Sequence, residues 1–287
     1  MKKTLFTLAA ITAATVITAA EPGPVTAILK RSIETPKGVC DEFVISNSHH
    51  SYLLSMGASR NTNGKAAPQF MINNPGKQAV PRGIGGLVVN GISYRNINYN
   101  RGDMKLWEDK AAGLAGCEGT LNFDGAKVTL RFYMRKDSPM MFVRLTPGKD
   151  SVEPIKRISF EQYVCPYLTR DAKIRWDEKS YKRVAVTQKR TLNTPTGYGK
   201  SHLLTPEETE IKLFDSEYGK NPGYITFVRD ENVLKASVAL ASYQTVAVQL
   251  KPDFKEFTMA YWGHQKIISN AEMEKIIKAN PKGFKIK

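Results

Sequence analysis

Scattered histidines, tyrosines and arginines are the residues of this chain that could do acid–base chemistry on a polysaccharide. Lyase chemistry needs a Tyr, His or Lys base beside a cation that neutralises the carboxylate of the sugar. Glycoside hydrolysis needs two carboxyl groups that face each other across the scissile bond. Neither arrangement lies within one segment, so no catalytic residue is assigned. The candidates are His49, His50, Tyr52, His202, Tyr261 and His264 as bases, with Arg82 or Arg101 as the cation.

The adjacent residues His49 and His50 follow the strand-like run 43–45. Neighbouring residues on a strand point to opposite faces of a sheet, so the two side chains would share a metal ion only on a loop. No third ligand stands at a diagnostic spacing. The sequence therefore predicts no metal site, and it contains no motif that calls for a cofactor.

Two short motifs suggest binding functions that the rest of the chain does not support. The segment 194–201 ends in Gly199-Lys200-Ser201, like a phosphate-binding loop, but Thr194 stands where that loop requires glycine. The tripeptide Arg101-Gly102-Asp103 matches an adhesion motif, yet Gly-Asp is also ordinary turn chemistry. We therefore expect two surface turns and no nucleotide.

Exposed aromatic side chains offer a platform on which sugar rings could stack. Trp176 is the best candidate, because the run 173–177 around it is polar. Trp107 is ambiguous, and Trp262 ends an alternating strand, which is more typical of a core residue. The predicted ligand-binding residues are Trp176, Tyr198, His49, His50, Arg82 and Arg101.

The chain is strongly basic, with 42 Lys and Arg residues, 27 Asp and Glu residues and a formal net charge of +15. Long-range attraction then favours an anionic partner, such as an acidic polysaccharide, a cell-wall polymer, a lipid surface or extracellular nucleic acid. The basic residues are scattered, and Lys179 to Arg190 is the densest stretch. A charge that only keeps the protein soluble is therefore the alternative.

The first twenty residues predict export. Lys2 and Lys3, the apolar run from Leu5 to Ile17 and the small residues before Glu21 are typical of a signal peptide that is cleaved near Ala20. The apolar run is shorter than a membrane span of about 20 residues, and no later run predicts a transmembrane segment. We expect a protein that is periplasmic or extracellular after cleavage.

Three cysteines, Cys40, Cys117 and Cys165, allow at most one internal disulfide, with three possible choices. An oxidising compartment would permit that bond. Buried, unpaired thiols are an equally good interpretation, because a domain of this size does not need a disulfide to remain folded.

From about residue 37 onward, apolar and polar residues alternate with the period of a β-strand. Asn90-Gly91 and Asp124-Gly125 each separate two strand-like runs, which is typical of a tight hairpin turn. The run 235–250 also alternates but is long for a single strand, so we expect a bend or bulge in it. Further strands are expected at 140–145, 158–164 and 257–261.

One helix is expected near the C-terminus. Ser269-Asn270-Ala271-Glu272 is a capping box, and Met273, Ile276 and Ile277 follow on one stripe. Many short strands with one late helix predict an all-β fold, a large antiparallel β-sandwich with one C-terminal α-helix. The expected organisation is a signal peptide (1–20), a single sandwich domain (21–268), and a helix and tail packed on the same domain (269–287).

The segment VTLRFYMRKDSPMMFV, residues 128–143, resembles the strand–turn–strand of large β-sandwich domains of the galactose-mutarotase type. Domains of this type also occur in secreted bacterial polysaccharide lyases and glycosidases. The paired catalytic His and Glu of that family match no positions of this chain, so no site is carried over. The resemblance implies a function that is related to sugars.

Three functions remain open. The first is a secreted basic protein that binds anionic glycans without catalysis, with an anionic polysaccharide or a cell-envelope polymer as its partner. The second is a polysaccharide lyase or glycoside hydrolase whose site is assembled from scattered residues. The third is an envelope or surface protein-interaction domain that uses the Gly-rich segment from Gly57 to Gly86, which is long for a connection. The sequence selects neither the glycan nor the oligomeric state.

Overall fold

Two antiparallel β-sheets enclose the apolar core, and one α-helix covers part of the second sheet. Within the described residues the chain forms 19 strands, a short 3-10 helix η1 (Tyr94–Asn96) and the α-helix α1 (Asn270–Ala279). The predicted all-β sandwich with one C-terminal α-helix is confirmed. The computed structural model describes residues 23–35, 38–57, 70–73, 83–164, 183–193, 201–215, 223–240, 244–263 and 270–286.

The strands in chain order are β1 (Thr26–Thr35), β2 (Gly38–Ser46), β3 (Ser51–Gly57), β4 (Phe70–Asn73), β5 (Gly83–Val89), β6 (Ile92–Ser93), β7 (Met104–Asp109), β8 (Leu114–Phe123), β9 (Ala126–Arg135), β10 (Met141–Pro147), β11 (Ile158–Val164), β12 (Arg183–Val186), β13 (Thr191–Asn193), β14 (Ser201–Leu203), β15 (Glu210–Asp215), β16 (Gly223–Phe227), β17 (Val233–Leu240), β18 (Gln244–Leu250) and β19 (Phe257–Gly263). The first sheet has the order β1-β2-β3-β4-β5-β11-β18-β17-β14, with β6 paired to β5. The second sheet has the order β13-β12-β15-β16-β19-β10-β9-β8-β7. Strands from late in the chain therefore lie in the middle of both sheets.

The two hairpins predicted from local turn chemistry are present. Asn90 and Gly91 connect β5 to β6 with positive φ angles of 52° and 86°. Asp124 and Gly125 connect β8 to β9 with φ angles of 52° and 92°. Asn, Asp and Gly tolerate this region of backbone space, and its twist matches the twist of the flanking strands.

The prediction of one long bent strand over 235–250 was wrong, because β17 and β18 are antiparallel neighbours in which Leu240 pairs with Gln244. The connection of three residues, 241–243, leaves the even-numbered residues of both strands facing the core. A period-two pattern therefore continues unbroken across the chain reversal.

The main core lies between the inner faces of the two sheets. Its alternating positions are held by large apolar side chains, each of which contributes about 1.5–3 kcal/mol when it is fully buried. The fully buried members with the largest side chains include Phe43, Phe123, Phe132 and Phe160.

A second apolar layer covers the outer face of the second sheet. Strand β19 is buried along its whole length, because its outer side chains are covered by α1 and by the residues that follow it. Met273 of the helix and Phe284 of the tail are buried there, and the rings of Trp262 and Phe284 lie 4.9 Å apart. The core position predicted for Trp262 is confirmed, although it belongs to this second layer.

Hydrogen bonds to the β9–β10 turn hold the tail in place. Ser138 Oγ donates to the Gly283 carbonyl at 2.5 Å, and Asn280 Nδ2 donates to the Asp137 carbonyl at 3.2 Å. The Arg135 guanidinium donates to the Lys282 carbonyl at 3.0 Å. Two of these bonds satisfy carbonyl groups of the tail and the third satisfies a carbonyl of the turn, so the tail is a fixed part of the sandwich.

A buried carboxylate, Glu208, fixes the turn between β12 and β13. Its oxygens accept hydrogen bonds from Arg190 Nε at 2.9 Å, Thr187 Oγ1 at 2.7 Å and the backbone amide of Thr205 at 2.8 Å. The Glu208 side chain has no solvent exposure, whereas that of Arg190 is 42% exposed. A buried charge persists only when it is paired and hydrogen-bonded in this way.

Candidate functional site

A groove beside the two hairpin turns is the candidate site. Two open cavities of about 570 and 510 Å³ adjoin there and share Ile92, Asn122 and Asp124 in their walls. One wall is the segment 92–100, and the other is the tip of the β8–β9 hairpin with Val152 and Glu153. Together they form a concave surface that is more polar than the usual small-molecule site, with a few apolar contacts.

The first wall presents three asparagines at alternating positions. Asn96, Asn98 and Asn100 are exposed, whereas Ile97 and Tyr99 between them turn toward the protein. The side-chain amides of the three asparagines make no hydrogen bond within the described part of the chain. They are therefore available to a ligand.

Asp41 anchors this wall from behind. The carboxylate of Asp41 is buried and accepts hydrogen bonds from Tyr99 Oη at 2.8 Å and Ser32 Oγ at 2.5 Å. Burial, and then the hydrogen bond to Asp41, raises the pKa of Tyr99, so its hydroxyl stays protonated and continues to donate. The three asparagines thus stand on a fixed backbone.

The second wall depends on the glycine at the tip of the hairpin. A Cβ atom at Gly125 would lie 2.8 Å from Val152 Cγ2 and 2.9 Å from Glu153 Cγ. The Gly125 carbonyl accepts from the backbone amides of both of these residues, at 3.0 and 3.2 Å. The carboxylates of Asp124 and Glu153 form no ion pair within the described residues, so they face the groove as free acceptors.

Asn90 lines the groove but has a structural role. Its Oδ1 accepts from the backbone amides of Lys156 and Arg157, and its Nδ2 donates to the Pro154 carbonyl at 2.9 Å. These bonds hold the segment 154–157 against the first hairpin. The ligand-binding groups of the groove are therefore the three asparagine amides and the carboxylates of Asp124 and Glu153.

The groove suits hydroxyl groups better than anions. Amides both donate and accept hydrogen bonds, and carboxylates accept them, so together they complement a ligand whose groups also do both. None of the residues that line the groove is basic. Ile92, Ile97 and Val152 add apolar contacts, and Val152 is 82% exposed.

The structure does not place His49 and His50 in one site. His49 is exposed on the β2–β3 turn, where its backbone amide donates to Asn47 Oδ1 at 2.8 Å. His50 is buried, and its ring lies 4.3 Å from the ring of Tyr52. His50 therefore packs in the interior and is not accessible to a glycan.

The hydroxyl of Tyr52 ties the two sheets together, since it donates to the Pro139 carbonyl at 2.7 Å. Tyr52→Phe is expected to lower the free energy of unfolding by about 1–2 kcal/mol, because the buried carbonyl loses its donor. Urea unfolding followed by circular dichroism measures this change. The exposed neighbour variant His49→Ala should unfold like the wild type, and equal stability of Tyr52→Phe would show that the bond contributes nothing.

Arg101 and the tripeptide to which it belongs form a surface turn, as expected. Arg101 pairs with Glu34 at 3.1 Å, and both side chains are exposed. Asp103 Oδ2 accepts from the backbone amide of Asn100 at 2.7 Å, within the same turn. Arg101 is thus partly neutralised, although Asp103 and Asn100 bring this turn to the edge of the groove.

The remaining predicted ligand-binding residues, Trp176, Tyr198 and Arg82, lie outside the described residues, as do His264, Cys165 and most of the segments 57–86 and 194–201. The two other candidate bases can be located. His202 is half-buried on β14, and Tyr261 is buried in the main core.

The outer face of β7–β10 carries an aromatic and arginine layer that is neutralised internally. Each of three arginines lies over an aromatic ring and pairs with a carboxylate. Trp107, whose exposure the sequence left ambiguous, is half-buried, and the Arg131 guanidinium lies 4.0 Å from its ring centre. Its ring is therefore no open platform for a sugar. The sets are Arg131 with Trp107 and Glu118, Arg135 with Phe142 and Asp137, and Arg144 with Tyr133 and Glu256.

Cys40 and Cys117 are both buried, and Cys117 is a free thiol. Burial, and then the nearby Asp41 carboxylate, raises the pKa of Cys117, so its thiolate is disfavoured. Of the two interpretations of the cysteines, the unpaired buried thiol holds for Cys117.

No group of three or more His, Cys, Asp or Glu residues in the described ranges could hold a metal ion. The helix of the described chain does not have the length and apolar character that crossing a membrane requires.

No protein family model and no curated protein matches this chain. Similar solved structures include the α-N-acetylgalactosaminidase NagBb from Bifidobacterium bifidum, at 10% identity over 87% of this chain and a TM-score of 0.46. The GH36 α-galactosidase AgaB from Geobacillus stearothermophilus follows, at 11% identity over 83% of this chain and a TM-score of 0.42. This chain spans 38% and 41% of those two chains.

A third similar structure, the Slr1438 protein from Synechocystis sp. PCC 6803, is 8% identical over 86% of this chain and 98% of its own, with a TM-score of 0.36. We transfer no residue or activity from these structures. The resemblance to galactose-mutarotase domains stays a prediction.

Proposed function

We propose that this protein binds glycans without cleaving them, and that the groove binds their hydroxyl groups. The observation that carries this proposal is that the side-chain amides of Asn96, Asn98 and Asn100 make no hydrogen bond within the described residues and stand on an anchored backbone. Each amide supplies two donors and one acceptor oxygen. Each hydrogen bond to a sugar hydroxyl contributes about 0.5–1.5 kcal/mol net, so several together give useful affinity.

An anionic glycan is the partner that the charge of the whole protein supports. A net charge of +15 attracts polyanions over a long range. Export, which we propose from residues 1–20, would place the protein among anionic polysaccharides and cell-envelope polymers. The groove would then bind hydroxyl groups of a polymer whose acidic groups contact basic residues elsewhere.

The test is a glycan array with the secreted form, residues 21–287, at low and at physiological salt. Binding of particular glycans that survives physiological salt supports the proposal, because screening removes non-specific attraction beyond about 8 Å. Binding to every anion at low salt only, or to no glycan at all, would overturn it.

Removal of the three groove amides gives a sharper result. The triple variant Asn96→Ala, Asn98→Ala, Asn100→Ala is expected to bind the selected glycan at least about tenfold more weakly, since tenfold corresponds to only about 1.4 kcal/mol. Isothermal titration calorimetry measures the affinity. Asn193→Ala is the control, because Asn193 is an exposed asparagine on β13, away from the groove. Unchanged affinity of the triple variant would remove the groove from the site.

A glycoside hydrolase is the second candidate, and the free carboxylates of Asp124 and Glu153 in the groove favour it. Hydrolysis requires two carboxyl groups on opposite sides of the scissile bond, so the glycan would have to enter between these two residues of the same wall. Incubation of the bound glycan followed by an assay for new reducing ends decides between the candidates. Release of reducing ends supports the enzyme, and an intact polymer supports binding alone.

A further inference from the structure

The C-terminal helix and tail present a row of lysines to solvent. Met273 is buried against the second sheet, and Ile276 and Ile277 of α1 are half-buried on the same apolar layer. Exposed lysines follow one another along the helix and the tail at spacings of three, four and three residues. We call these four residues, Lys275, Lys278, Lys282 and Lys285, the lysine stripe.

The backbone beneath the lysine stripe is fixed. Phe284 is buried between Lys282 and Lys285, and the Lys282 carbonyl accepts from Arg135. The Gly283 carbonyl accepts from Ser138 Oγ. Because the backbone is already ordered, a ligand that binds the lysines has to immobilise only their side chains.

The lysine stripe is not neutralised by the protein. None of its four lysines forms an ion pair within the described residues, whereas the arginines over Trp107, Tyr133 and Phe142 all do. The acidic residue Glu274 on the same helix pairs with Lys212 at 2.9 Å, and Lys278 acts on its carboxylate only as a more distant charge. The stripe is therefore a local excess of positive charge on a protein that is basic as a whole.

The surroundings of the lysine stripe select among the anions. A bilayer surface is bound by basic segments that also insert apolar side chains. The described exposed large apolar residues, such as Leu106 and Val152, all lie outside α1 and the tail. Single-stranded nucleic acid requires exposed aromatic rings for stacking, and the aromatic residue of the tail, Phe284, is buried.

We infer that the lysine stripe binds the acidic groups of a linear anionic polysaccharide. This inference rests on the proposed function and adds to it the surface that contacts the charges. The groove and the lysine stripe then bind different groups of the same polymer. The groove forms hydrogen bonds with its hydroxyl groups, and the stripe forms ion pairs with its carboxylates or sulfates. Binding through the stripe should depend strongly on salt, because each lysine–anion contact releases a counterion.

The test compares two charge-reversed variants of the secreted form for binding to polygalacturonate. The first carries Lys275→Glu, Lys278→Glu, Lys282→Glu and Lys285→Glu. The control carries the same change at four exposed, unpaired lysines elsewhere, Lys30, Lys189, Lys235 and Lys251, and so has the same net charge. The stripe variant is expected to lose at least about tenfold in affinity and to show a flatter salt dependence, and the control less than about threefold.

Several outcomes would overturn the inference. Equal losses in both variants would mean that only the net charge matters, and no loss in the stripe variant would mean that the stripe is not used. Tighter binding of the wild type to anionic lipid vesicles or to an oligothymidylate than to polygalacturonate would overturn the assignment to a polysaccharide. If charge reversal lowers the melting temperature, the four Lys→Gln substitutions replace it, because they remove the charge without placing acids at the helix C-terminus.

The groove triple variant separates this inference from the proposed function. It should retain the salt-dependent binding to polygalacturonate, whereas the stripe variant should retain the groove-dependent binding that survives physiological salt. If no binding survives physiological salt but the salt-dependent binding is present, the proposed function of the groove fails. If the stripe variant loses only the salt-dependent binding, the charge contacts are assigned to the lysine stripe.

Discussion

Trp262→Ala is expected to lower the free energy of unfolding by about 3–5 kcal/mol, the range for a large aromatic residue in a core. Trp262 is 2% exposed and lies at the centre of the second apolar layer, against Phe284 of the tail. The variant loses the buried area of the indole and leaves a cavity that the β-sheet beneath cannot close. The tail also loses its main contact.

Urea unfolding followed by far-UV circular dichroism measures this effect. Trp107→Ala is the matched control, because it removes the same side chain from a half-buried position on the same sheet. We expect it to cost about 1–2 kcal/mol, mostly through the lost contact with Arg131. A loss of less than about 1 kcal/mol for Trp262→Ala would contradict the description of the second layer as a packed core.

Glu208→Ala is expected to cost about 3 kcal/mol. Removal of one partner from a buried ion pair costs about 3–5 kcal/mol, and the low end applies here because water can reach the partly exposed Arg190. The Thr205 amide also loses its acceptor, and the Thr187 hydroxyl keeps only the Arg190 carbonyl as acceptor, at 3.1 Å. Glu207→Ala is the control, since the neighbouring Glu207 is exposed and accepts one side-chain bond from Thr205. Similar stability of the two variants would contradict the role of Glu208.

The same contact makes stability depend on pH. Burial raises the pKa of Glu208, but the hydrogen bonds from Arg190, Thr205 and Thr187 outweigh it, and the pKa is lowered overall. A carboxyl with a lower pKa in the folded state stabilises the protein above its unfolded pKa of about 4.3, and this stabilisation is lost as the pH falls through the folded value. The difference in unfolding free energy between the wild type and Glu208→Gln should therefore be large at pH 7 and shrink at pH 3.

Turn chemistry made some features of the fold predictable. Asn90-Gly91 and Asp124-Gly125 are local signals, because the positive φ angles they require exclude most other residues. The reversal between β17 and β18 carried no such signal. Because three residues separate Leu240 from Gln244, the inward-facing residues have even numbers in both strands. The alternating pattern therefore continues across the reversal and resembles that of one strand.

The candidate site was harder to predict because its parts are distant in sequence. The alternation of Asn96, Asn98 and Asn100 with Ile97 and Tyr99 was a readable sign of a polar wall. Its opposite wall comes from the β8–β9 hairpin, and periodicity does not show which hairpin faces which segment. Residue type alone marks His50 and Arg101 as candidates, and local sequence does not reveal their surroundings. The ring of His50 packs on Tyr52, and Arg101 forms an exposed ion pair with Glu34.

The strand order also has a kinetic consequence. Strand β18 fills the gap between β11 and β17, and β19 fills the gap between β16 and β10, so each sheet is divided in two until residues 244–263 are in place. Pairing strands so far apart in the chain is slow, because loops must close before the contacts stabilise them. Until then the edges of β10, β11 and β16 stay open to pairing with other chains. Neither the strands before β12 nor the strands from β12 to β17 can complete their sheets before β18 and β19 join them.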